Sequence, residues 1–484
     1  MPKPPSSNPR RIKPAMQNSA QKSSASQGSA QPQPPVHAPI TPARSAAFAI
    51  LLRVADTSAH SDDLLHGPGM SALSQADRNL AHTLVLGVLR WQIALDARIA
   101  PLLQRPDQAL PTPVATALRM GAFQLLHLDR IPAHAALSES VELVRAAGHP
   151  HAAGMVNAIL RKLTRQPPSK PKLYETTAAF AERLAHPLWL ANRWVQNYGR
   201  AAALAILTHD QAEPQPNTLF APAPSQPVLS AVPSTSGYPE PSGSGLIASD
   251  TEGVSTPALP HLDDGSRLVA ELAAASHPTP PRIWDTCAAP GGKTLILSAR
   301  HPSAHLLATD ANPRRLQALT TRLEAATVAG STPPQTLHTD ATQLPADAGL
   351  FDLILCDVPC SGTGTLSRNP EIRQRLQPSD LARQATRQRE IVTAALARLA
   401  PGGHLLYSTC SLEPEENEQV IAAALAAVPN IIAQSLDPIL NHHLSTAGLL
   451  TALPADLLRN GQLRTLPGAN FQGDGFFAAL LHRP

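Results

Sequence analysis

Hydrophobic residues recur at every third or fourth position through residues 44–165, which is the spacing of one face of an α-helix. Clear examples are the segments ARSAAFAILLRVA, DRNLAHTLVLGVLRWQIALDARIAPLL, VATALRMGAFQLLHL and AAGMVNAILRKLTR. Ser74, Asp77 and Ser138 stand where helices are expected to begin, and Pro132 marks a connection. No segment here alternates hydrophobic and polar residues as a strand would. The pattern predicts an all-α domain over 44–165.

From about residue 261 the pattern changes to short hydrophobic runs separated by helical segments. The final stretch, GFFAALLHR, predicts one more strand after them. Strands that alternate with helices usually form a parallel sheet covered on both faces. The pattern therefore predicts an α/β domain over 261–484. The runs predicted as strands are 282–286, 305–310, 335–340, 351–357 and 403–409.

Two regions have too few large hydrophobic side chains to predict a core of their own. Residues 1–43 are rich in Pro, Ser, Gln and Ala, and they predict a disordered tail, or alternatively a basic arm that contacts nucleic-acid phosphates. Residues 166–260 are predicted as a linker or small subdomain, with a helix around 187–199 and a flexible Pro/Ser/Gly-rich loop over 221–260.

Composition narrows the class of protein only slightly. The 484 residues carry a formal net charge of +3, which permits a nucleic-acid partner without indicating one. The sequence contains no apolar run of about 18 residues and no secretory signal, so we expect a cytoplasmic protein without membrane contact. The four cysteines form no CxxC pair, and in a chain this long they do not indicate a disulfide framework.

A cluster of small residues follows the first predicted strand, from Asp285 to Thr294. Glycines let a backbone approach a ligand closely, and a helix begins at this turn. A phosphate-binding P-loop would need glycine at position 287, where this chain has Cys287, and the dinucleotide pattern GxGxxG is also absent. The turn therefore favours a ligand other than a nucleoside triphosphate or a dinucleotide.

Single acidic residues end the next two predicted strands, Asp310 and Asp340. In open α/β sheets ligands bind at the carboxyl ends of the strands, and an acid about 20 residues after the glycine turn can bind ribose hydroxyls. Asp340 is placed for an adenine amino group or for nearby backbone. Either acid alone fits a helix cap or a solvated loop. Together, beside the glycine turn, they indicate a nucleoside ligand with little negative charge.

Two further clusters each place one cysteine in a loop just after a strand. They run from Asp357 to Gly364, with Cys360, and from Tyr407 to Asn417, with Cys410. If these two strands are adjacent in the sheet, the two cysteines lie near one another and near the predicted nucleoside ligand. Paired loop cysteines flanked by Asp, Ser, Thr and Pro are candidates for nucleophilic chemistry.

These motifs closely resemble those of RNA 5-methylcytosine methyltransferases, and the helical segment looks like a NusB-like domain. The branch that combines both is the bacterial 16S ribosomal RNA (cytosine-5-)-methyltransferase B family, also called Fmu or Sun. The motifs are CAAPGGK at 287–293, DVPCSGTG at 357–364 and STCSLEPEEN at 408–417, with DRNL at 77–80 and VNAILR at 156–161 in the helical segment.

The resemblance implies a fold, a cofactor and a substrate. The fold is a Rossmann-like class I methyltransferase domain with a mostly parallel sheet and an antiparallel C-terminal strand, after an all-α NusB-like RNA-binding domain. The cofactor is S-adenosyl-L-methionine, and the partner is RNA, most directly 16S ribosomal RNA. The implied protein is a monomer that needs no metal. The implied cofactor-binding residues are Cys287, Ala288, Ala289, Pro290, Gly291, Gly292, Lys293, Asp310, Asp340 and Asp357.

The resemblance also implies a mechanism with two cysteines. Cys410 would add to C6 of cytosine, and Cys360 would assist release of the methylated product. Asp357 would hydrogen-bond N3 of the base, and Lys293 is a candidate to face it. From the residues alone, Cys287 lines the cofactor turn and Cys356 is a buried strand residue. The target base must be single-stranded or extruded, because a duplex hides the C6 face.

Alternatives remain open at the level of sequence. One is the same reaction on transfer RNA or another ribosomal site, and another is a non-catalytic RNA-binding or assembly factor. A DNA cytosine methyltransferase would leave Cys410 without a role. Two stretches, 216–220 and 370–373, depart from the family pattern and weaken the choice of a particular RNA. Arginines that follow Cys360 are expected either to contact RNA or to form a solvated helix face: Arg368, Arg373, Arg375, Arg383, Arg387 and Arg389.

Overall fold

The computed structural model describes residues 39–57, 59–166, 175–214, 219–220, 262–326, 332–444 and 456–484. The predicted tail lies outside the described residues up to residue 38, and so does the whole predicted loop over 221–260.

The N-terminal part of the described chain is helical. Ser74 begins the longest helix as predicted, because its hydroxyl oxygen accepts a hydrogen bond from the Asp77 backbone N–H at 3.1 Å. The prediction at Ser138 is wrong, since that helix begins at Ala133 and the extended Pro132 caps it. Seven helices are described here: α1 (Pro42–Asp56), α2 (Ser61–Leu65), α3 (Pro68–Ser71), α4 (Gln75–Ile99), α5 (Thr112–His127), α6 (Ala133–Ala146) and α7 (Ala153–Leu163).

Helices α1, α4, α5, α6 and α7 enclose one hydrophobic core. Leu84, Leu118 and Leu160 are fully buried within it. Helices α4 and α5 approach closely at Gly87, where a β-carbon would lie 2.0 Å from the Phe123 ring. Packing of these apolar faces, rather than helix propensity, therefore holds the bundle together.

Two helices connect the bundle to the C-terminal part, α8 (Thr177–Arg183) and α9 (Leu188–His209). Gly199 has a φ of 81° and divides α9 into two helical segments. Trp194 of α9 is fully buried in a cluster with Leu366 and Leu412, which belong to the C-terminal part. The predicted helix around 187–199 is confirmed, and it continues to His209.

One mostly parallel sheet forms the centre of the C-terminal part, in the order β3-β2-β1-β4-β5-β9-β8-β7, with β6 also paired to β9. Strands β1 to β5 are parallel, and β9 runs antiparallel to β5. The predicted fold class is confirmed. The described strands are β1 (Arg282–Asp285), β2 (His305–Asp310), β3 (Gln335–His338), β4 (Phe351–Asp357), β5 (Leu399–Thr409), β6 (Ile432–Gln434), β7 (Leu458–Arg459), β8 (Gln462–Arg464) and β9 (Phe477–His482).

Helices cover both faces of this sheet, and a hydrophobic core lies on each side. Leu268 and Leu297 belong to one core, and Val392 and Leu396 to the other. Among the described helices, none is both long and apolar enough to cross a membrane. The helices of this part are α10 (Asp264–Ala275), α11 (Gly292–Arg300), α12 (Pro313–Ala326), α13 (Ile372–Arg375), α14 (Pro378–Ala397) and α15 (Glu418–Ala427).

Candidate active site

The predicted glycine turn lies at the carboxyl end of β1, at the centre of the sheet. The Ala288 backbone N–H donates to the Thr309 carbonyl at 2.9 Å, which ties the turn to β2. Gly291 has a φ of 98°, a conformation that favours glycine, and it directly precedes α11. The small residues of the turn therefore place backbone, rather than side chains, beside the end of the sheet.

The two predicted nucleoside-binding acids lie at the ends of the neighbouring strands, but in different settings. Asp310 ends β2 and accepts hydrogen bonds from the backbone N–H groups of Ala289, at 3.3 Å, and Asn312, at 2.8 Å. Asp340 lies two residues beyond β3, so the predicted strand was too long. It caps a short 3₁₀ helix and forms an ion pair with Arg387. A ligand that uses Asp340 would have to share it with Arg387.

An ion pair marks the end of β4. The Lys293 ammonium, at the start of α11, lies 2.8 Å from the Asp357 carboxylate, and the Ser408 hydroxyl donates to the other oxygen of Asp357 at 2.7 Å. Burial acts to lower the pKa of Lys293, but the attraction of Asp357 outweighs it and the pKa is raised. Lys293 therefore stays charged, and its charge is neutralised by Asp357.

The two catalytic candidates, Cys360 and Cys410, meet as predicted, with their sulfur atoms 3.3 Å apart. Asp357 pairs with Ser408 across β4 and β5, so both cysteines follow the same point at the edge of the sheet. Contact with the Cys410 sulfur, together with burial, raises the pKa of the Cys360 thiol well above its ordinary value. Two sulfurs this close cannot both carry a negative charge at low cost.

The remaining two cysteines lie where the sequence predicted them, Cys356 in a buried strand and Cys287 in the turn after β1. Cys356 is fully buried in β4, and burial raises the pKa of its thiol to about 12. Cys287 is half-buried in the turn after β1, and burial raises the pKa of its thiol well above the ordinary value. Neither is an activated nucleophile.

A buried carboxylate that the sequence analysis missed, Glu416, joins the two cysteine loops. It accepts hydrogen bonds from the Ser361 N–H at 2.9 Å and from the Gln388 side-chain amide at 2.9 Å. The hydroxyls of Ser361 and Ser411 also donate to it. Glu416 lies within a motif that was singled out for its cysteine, but nothing in the sequence alone shows which loop its side chain reaches.

The linker helix α9 also holds the loop that carries Cys410 in place, through three side chains. The Trp194 indole N–H donates to the buried carboxylate of Glu413 at 3.0 Å, and Arg193 donates to the same carboxylate at 2.8 Å. The Tyr198 hydroxyl donates to the Leu412 carbonyl. Residues predicted as part of a linker thus fix the loop that carries Cys410.

Two arginines after Cys360 reach the helical bundle, and for the buried Arg373 both predicted roles are wrong. Arg373 is buried and donates to the backbone carbonyls of Arg90 and Asp210, each at 2.8 Å. Arg375 donates to carbonyls at the end of α1, including Val54 at 2.8 Å. Both side chains join the C-terminal part to the helical bundle, and Arg373 is buried away from solvent. Hydrogen-bond partners this distant in sequence cannot be identified from a local charge pattern.

The other arginines of this stretch lie nearer the surface. Arg368 pairs with Asp474 at 2.9 Å and Arg383 with Asp380 at 2.8 Å. Arg387 pairs with Asp340, and Arg389 donates to the Thr386 hydroxyl at 3.1 Å. The side chain of Arg383 is 74% exposed, which agrees with the predicted solvated helix face.

The groups at this edge of the sheet fit a nucleoside that carries hydroxyl and amino groups better than one that carries phosphates. Asp310, Asp340 and Asp357 supply carboxylates at this edge. The cations Lys293 and Arg387 are each already paired with one of these acids. Hydroxyl and amino groups can donate to such carboxylates, whereas a phosphate would be repelled. Within the described residues, no group of three or more His, Cys, Asp or Glu side chains could hold a metal ion.

Comparison with known proteins agrees with this geometry. Residues 272–482 match the family described as 16S rRNA methyltransferase RsmB/F, and residues 41–165 match the NusB family. The chain is 32% identical to ribosomal RNA small subunit methyltransferase B of Citrobacter koseri over 86% of this chain and 92% of that protein. It is 34% identical to the protein of the same name from Xanthomonas campestris, over 86% and 90%.

The chain belongs to the ribosomal RNA small subunit methyltransferase B family. Membership makes the protein a methyltransferase and S-adenosyl-L-methionine its cofactor. The fold agrees with the crystal structure of PH0851, at a TM-score of 0.66 and 22% identity, over 92% of this chain and 100% of that one. The match to the NusB family covers the helical bundle α1 to α7.

Proposed function

We propose that the protein methylates C5 of a cytosine in 16S ribosomal RNA through a covalent adduct between Cys410 and C6 of the base. The observation that carries this proposal is the pair of cysteine sulfurs 3.3 Å apart, beside the Lys293–Asp357 ion pair. Relatives named as ribosomal RNA methyltransferases support the choice of RNA.

The first step is addition of the Cys410 thiolate to C6. Cytosine C5 is a weak nucleophile, and forming the sulfur–C6 bond moves the electrons of the C5–C6 double bond toward C4 and N3, which makes C5 an enamine carbon. The proton that the Cys410 thiol gives up is proposed to reach N3 through Asp357, whose carboxyl group donates the hydrogen bond to N3 in its protonated form as negative charge develops there. Lys293 keeps this carboxylate oriented through the 2.8 Å ion pair.

The later steps transfer the methyl group and release the product. S-adenosyl-L-methionine, when bound, would supply an electrophilic methyl group to C5, and S-adenosyl-L-homocysteine would be the leaving group as the methyl–sulfur bond breaks. A base then removes the C5 proton, and the electrons of that bond reform the C5–C6 double bond as the Cys410 sulfur leaves. Cys360, whose raised pKa keeps it a thiol, is the group proposed to assist this release.

The cofactor is proposed to occupy the edge of the sheet formed by the turn after β1 and the ends of β2 to β4. Residues 287–293 would supply backbone and small side chains, Asp310 would accept from the ribose hydroxyls, and Asp340 would lie near the adenine. This assignment follows the strand order, which places these segments side by side.

The test is methyl transfer from labelled S-adenosyl-L-methionine to unmodified 16S ribosomal RNA, followed by bisulfite mapping of the product. One new 5-methylcytosine is the expected result. Incorporation into transfer RNA but not into 16S RNA would contradict the proposed substrate and keep the chemistry. No incorporation into any RNA would contradict the chemistry and favour a non-catalytic RNA-binding factor.

A further inference from the structure

A cleft of about 590 Å³ lies between the helical bundle and the C-terminal part, away from the cysteines. One wall is a face of α4 that includes Asn79, Leu86 and Trp91, and the opposite wall includes Gln211 and Arg368. This volume is within the range of sites that hold one small organic group. None of the residues proposed for catalysis or for cofactor binding lines the cleft.

Three stacked rings form one side of the cleft. The Trp91 and His127 rings lie 4.4 Å apart with an angle of 29° between their planes, and Phe123 stacks on His127 at 5.3 Å. Burial lowers the pKa of His127 to about 4, so its ring is neutral near pH 7. Phe123 is fixed by its close contact with Gly87. The result is a rigid, uncharged aromatic surface suited to a flat ring.

The charges around the cleft favour such a ring over a phosphate. Arg368 is paired with Asp474 at 2.9 Å, and Arg90 donates to the Ser367 carbonyl at 2.8 Å. Two acids, Asp62 and Glu213, also line the cleft. A phosphate group would therefore meet carboxylates and cations that already have partners.

The cleft also contains neutral side chains that can form hydrogen bonds, Gln211 and Asn79. The side-chain oxygen of Gln211 is buried and has no hydrogen-bond partner among the described residues, and Asn79 lies across the cleft on α4. An unpaired buried acceptor is costly unless a ligand or water satisfies it. Its natural partner is an N–H group, such as the one on the edge of a nucleobase.

The cleft is linked to the catalytic loops through a short series of contacts. Arg368 pairs with Asp474, the neighbouring Gly475 N–H donates to the Gly364 carbonyl at 2.7 Å, and the Gly364 N–H donates to the Cys410 carbonyl at 2.9 Å. The wall of the cleft is therefore connected to the loop that carries Cys410 by directly contacting residues.

We propose that the cleft binds one unpaired base of the RNA strand that carries the target cytosine, stacked on Trp91 and hydrogen-bonded by Gln211. The inference rests on the proposed function for the identity of the ligand. Proteins recognise unpaired RNA bases by stacking them on aromatic side chains and reading their edges, and a base within a duplex is not available for this. The helical bundle thus takes part in choosing single-stranded RNA.

The test measures binding without catalysis, using the full chain with Cys410→Ala. Its affinity for a single-stranded oligouridine is compared after adding Trp91→Leu, Trp91→Phe, or the matched control Trp189→Leu on α9. Stacking contributes about 1–3 kcal/mol per base, so Trp91→Leu should weaken binding roughly 5- to 150-fold. Trp91→Phe should retain most of the affinity. The salt dependence should not change, because no phosphate contact is lost.

Crosslinking with 4-thiouridine in the same oligomer should attach RNA to the peptide that contains Trp91. Equal affinities for the Trp91→Leu and Trp189→Leu chains, with equal melting temperatures, would overturn the inference and leave the cleft to a protein partner. Crosslinks only to other peptides would also overturn it. Failure of the proposed function is distinguishable, since it appears as RNA binding by the unmodified chain without methyl transfer.

Discussion

At the scale of single residues, the turn after β1 begins with a buried carboxyl group, Asp285. Asp285 ends β1 at 1% exposure, and the Thr294 hydroxyl donates to it at 2.7 Å. Burial, aided by the nearby Asp357 carboxylate, raises the pKa of Asp285 to about 7. The group therefore holds a proton in the folded protein under conditions where the unfolded chain releases it.

This difference predicts how stability changes with pH. Because the folded state binds more protons between the two pKa values, the free energy of unfolding falls as pH rises from about 4 to about 7, and the loss is complete above that. The Asp285→Asn side chain does not ionise, so this variant should avoid up to about 4 kcal/mol of that loss in the free energy of unfolding. Its stability relative to the unmodified chain, from denaturant unfolding, should rise between about pH 5 and pH 7. A difference that stays constant with pH would contradict the assignment, and the exposed Asp347→Asn is the matched control for the substitution itself.

The sequence predicts which residues meet at the site when those residues lie at the ends of parallel strands. Asp310, Asp357, Cys360 and Cys410 follow directly from the rule that parallel strands end at one edge of the sheet. Glu416 could not be predicted in the same way, because its partners come from a different loop and from α14. A single sequence shows a residue's neighbours along the chain but not the side chains that it reaches.

At the scale of elements, α9 is the support that holds the Cys410 loop. Its Trp194 and Arg193 side chains both donate to Glu413. Burial raises the pKa of this carboxyl group, and the two hydrogen bonds oppose that shift without cancelling it. Glu413 is 0% exposed, so each lost hydrogen bond leaves a buried charge less well satisfied. The loop position is therefore coupled to the packing of α9.

Trp194→Phe should test this support, because it keeps the aromatic ring and removes the N–H donor. We expect the free energy of unfolding to fall by about 1–3 kcal/mol and kcat to fall with it, while the affinity for S-adenosyl-L-methionine changes little. Thermal melting, steady-state methyl transfer and calorimetric binding measure the three effects. Trp189→Phe on the same helix is the control, and equal losses in both variants would refute a specific role for the Trp194–Glu413 hydrogen bond.

The elements themselves were predictable to different degrees. The longer strands β1 to β5 and β9 follow from their hydrophobic runs, and the long helix after Ser74 follows from periodicity and from a side-chain cap. The start of α6 was misplaced because Ser138 resembles a cap, whereas the backbone of Pro132 performs that role. The short strands β6, β7 and β8 were not predicted, since two or three residues carry no measurable period.

At the scale of the whole molecule, one guanidinium joins three parts of the chain. Arg373 donates to carbonyls of Arg90 in the bundle, Asp210 after α9, and Leu366 after the Cys360 loop. Burial lowers the pKa of Arg373 to about 10, which still leaves it charged near neutral pH. The bundle and the segment after the Cys360 loop are thus held together by a buried, charged donor.

Arg373→Met should weaken this connection. Hydrogen bonds from a charged donor contribute roughly 1.5–3 kcal/mol each, so we expect a loss of at least about 3 kcal/mol in the free energy of unfolding. Hydrogen exchange should become faster in residues 86–91 and in 366–374 together, since each side loses the other's support. The exposed Arg383→Met should change stability by less than about 0.5 kcal/mol. Faster exchange in one segment alone would contradict the joint role.

The contact between the C-terminal part and the helical bundle could not be predicted from the sequence, for a physical reason. A cluster of arginines after a catalytic loop has the same local pattern whether it faces RNA or fills an interface. What distinguishes Arg373 is its burial against carbonyls from residues far away in the chain, 283 positions in the case of Arg90. Only the folded arrangement shows that the segment contacts the bundle.

The central claim is that Cys410 forms the bond to RNA, and the most direct measurement is a search for that bond. The unmodified chain, Cys410→Ala and Cys360→Ala are each incubated with unmodified 16S ribosomal RNA and S-adenosyl-L-methionine, and covalent complexes are isolated on denaturing gels and mapped by mass spectrometry. We predict that Cys360→Ala accumulates an adduct on the peptide that contains Cys410, and that Cys410→Ala forms neither adduct nor product. Methyl transfer by Cys410→Ala, or an adduct on Cys360 in the unmodified chain, would contradict the account.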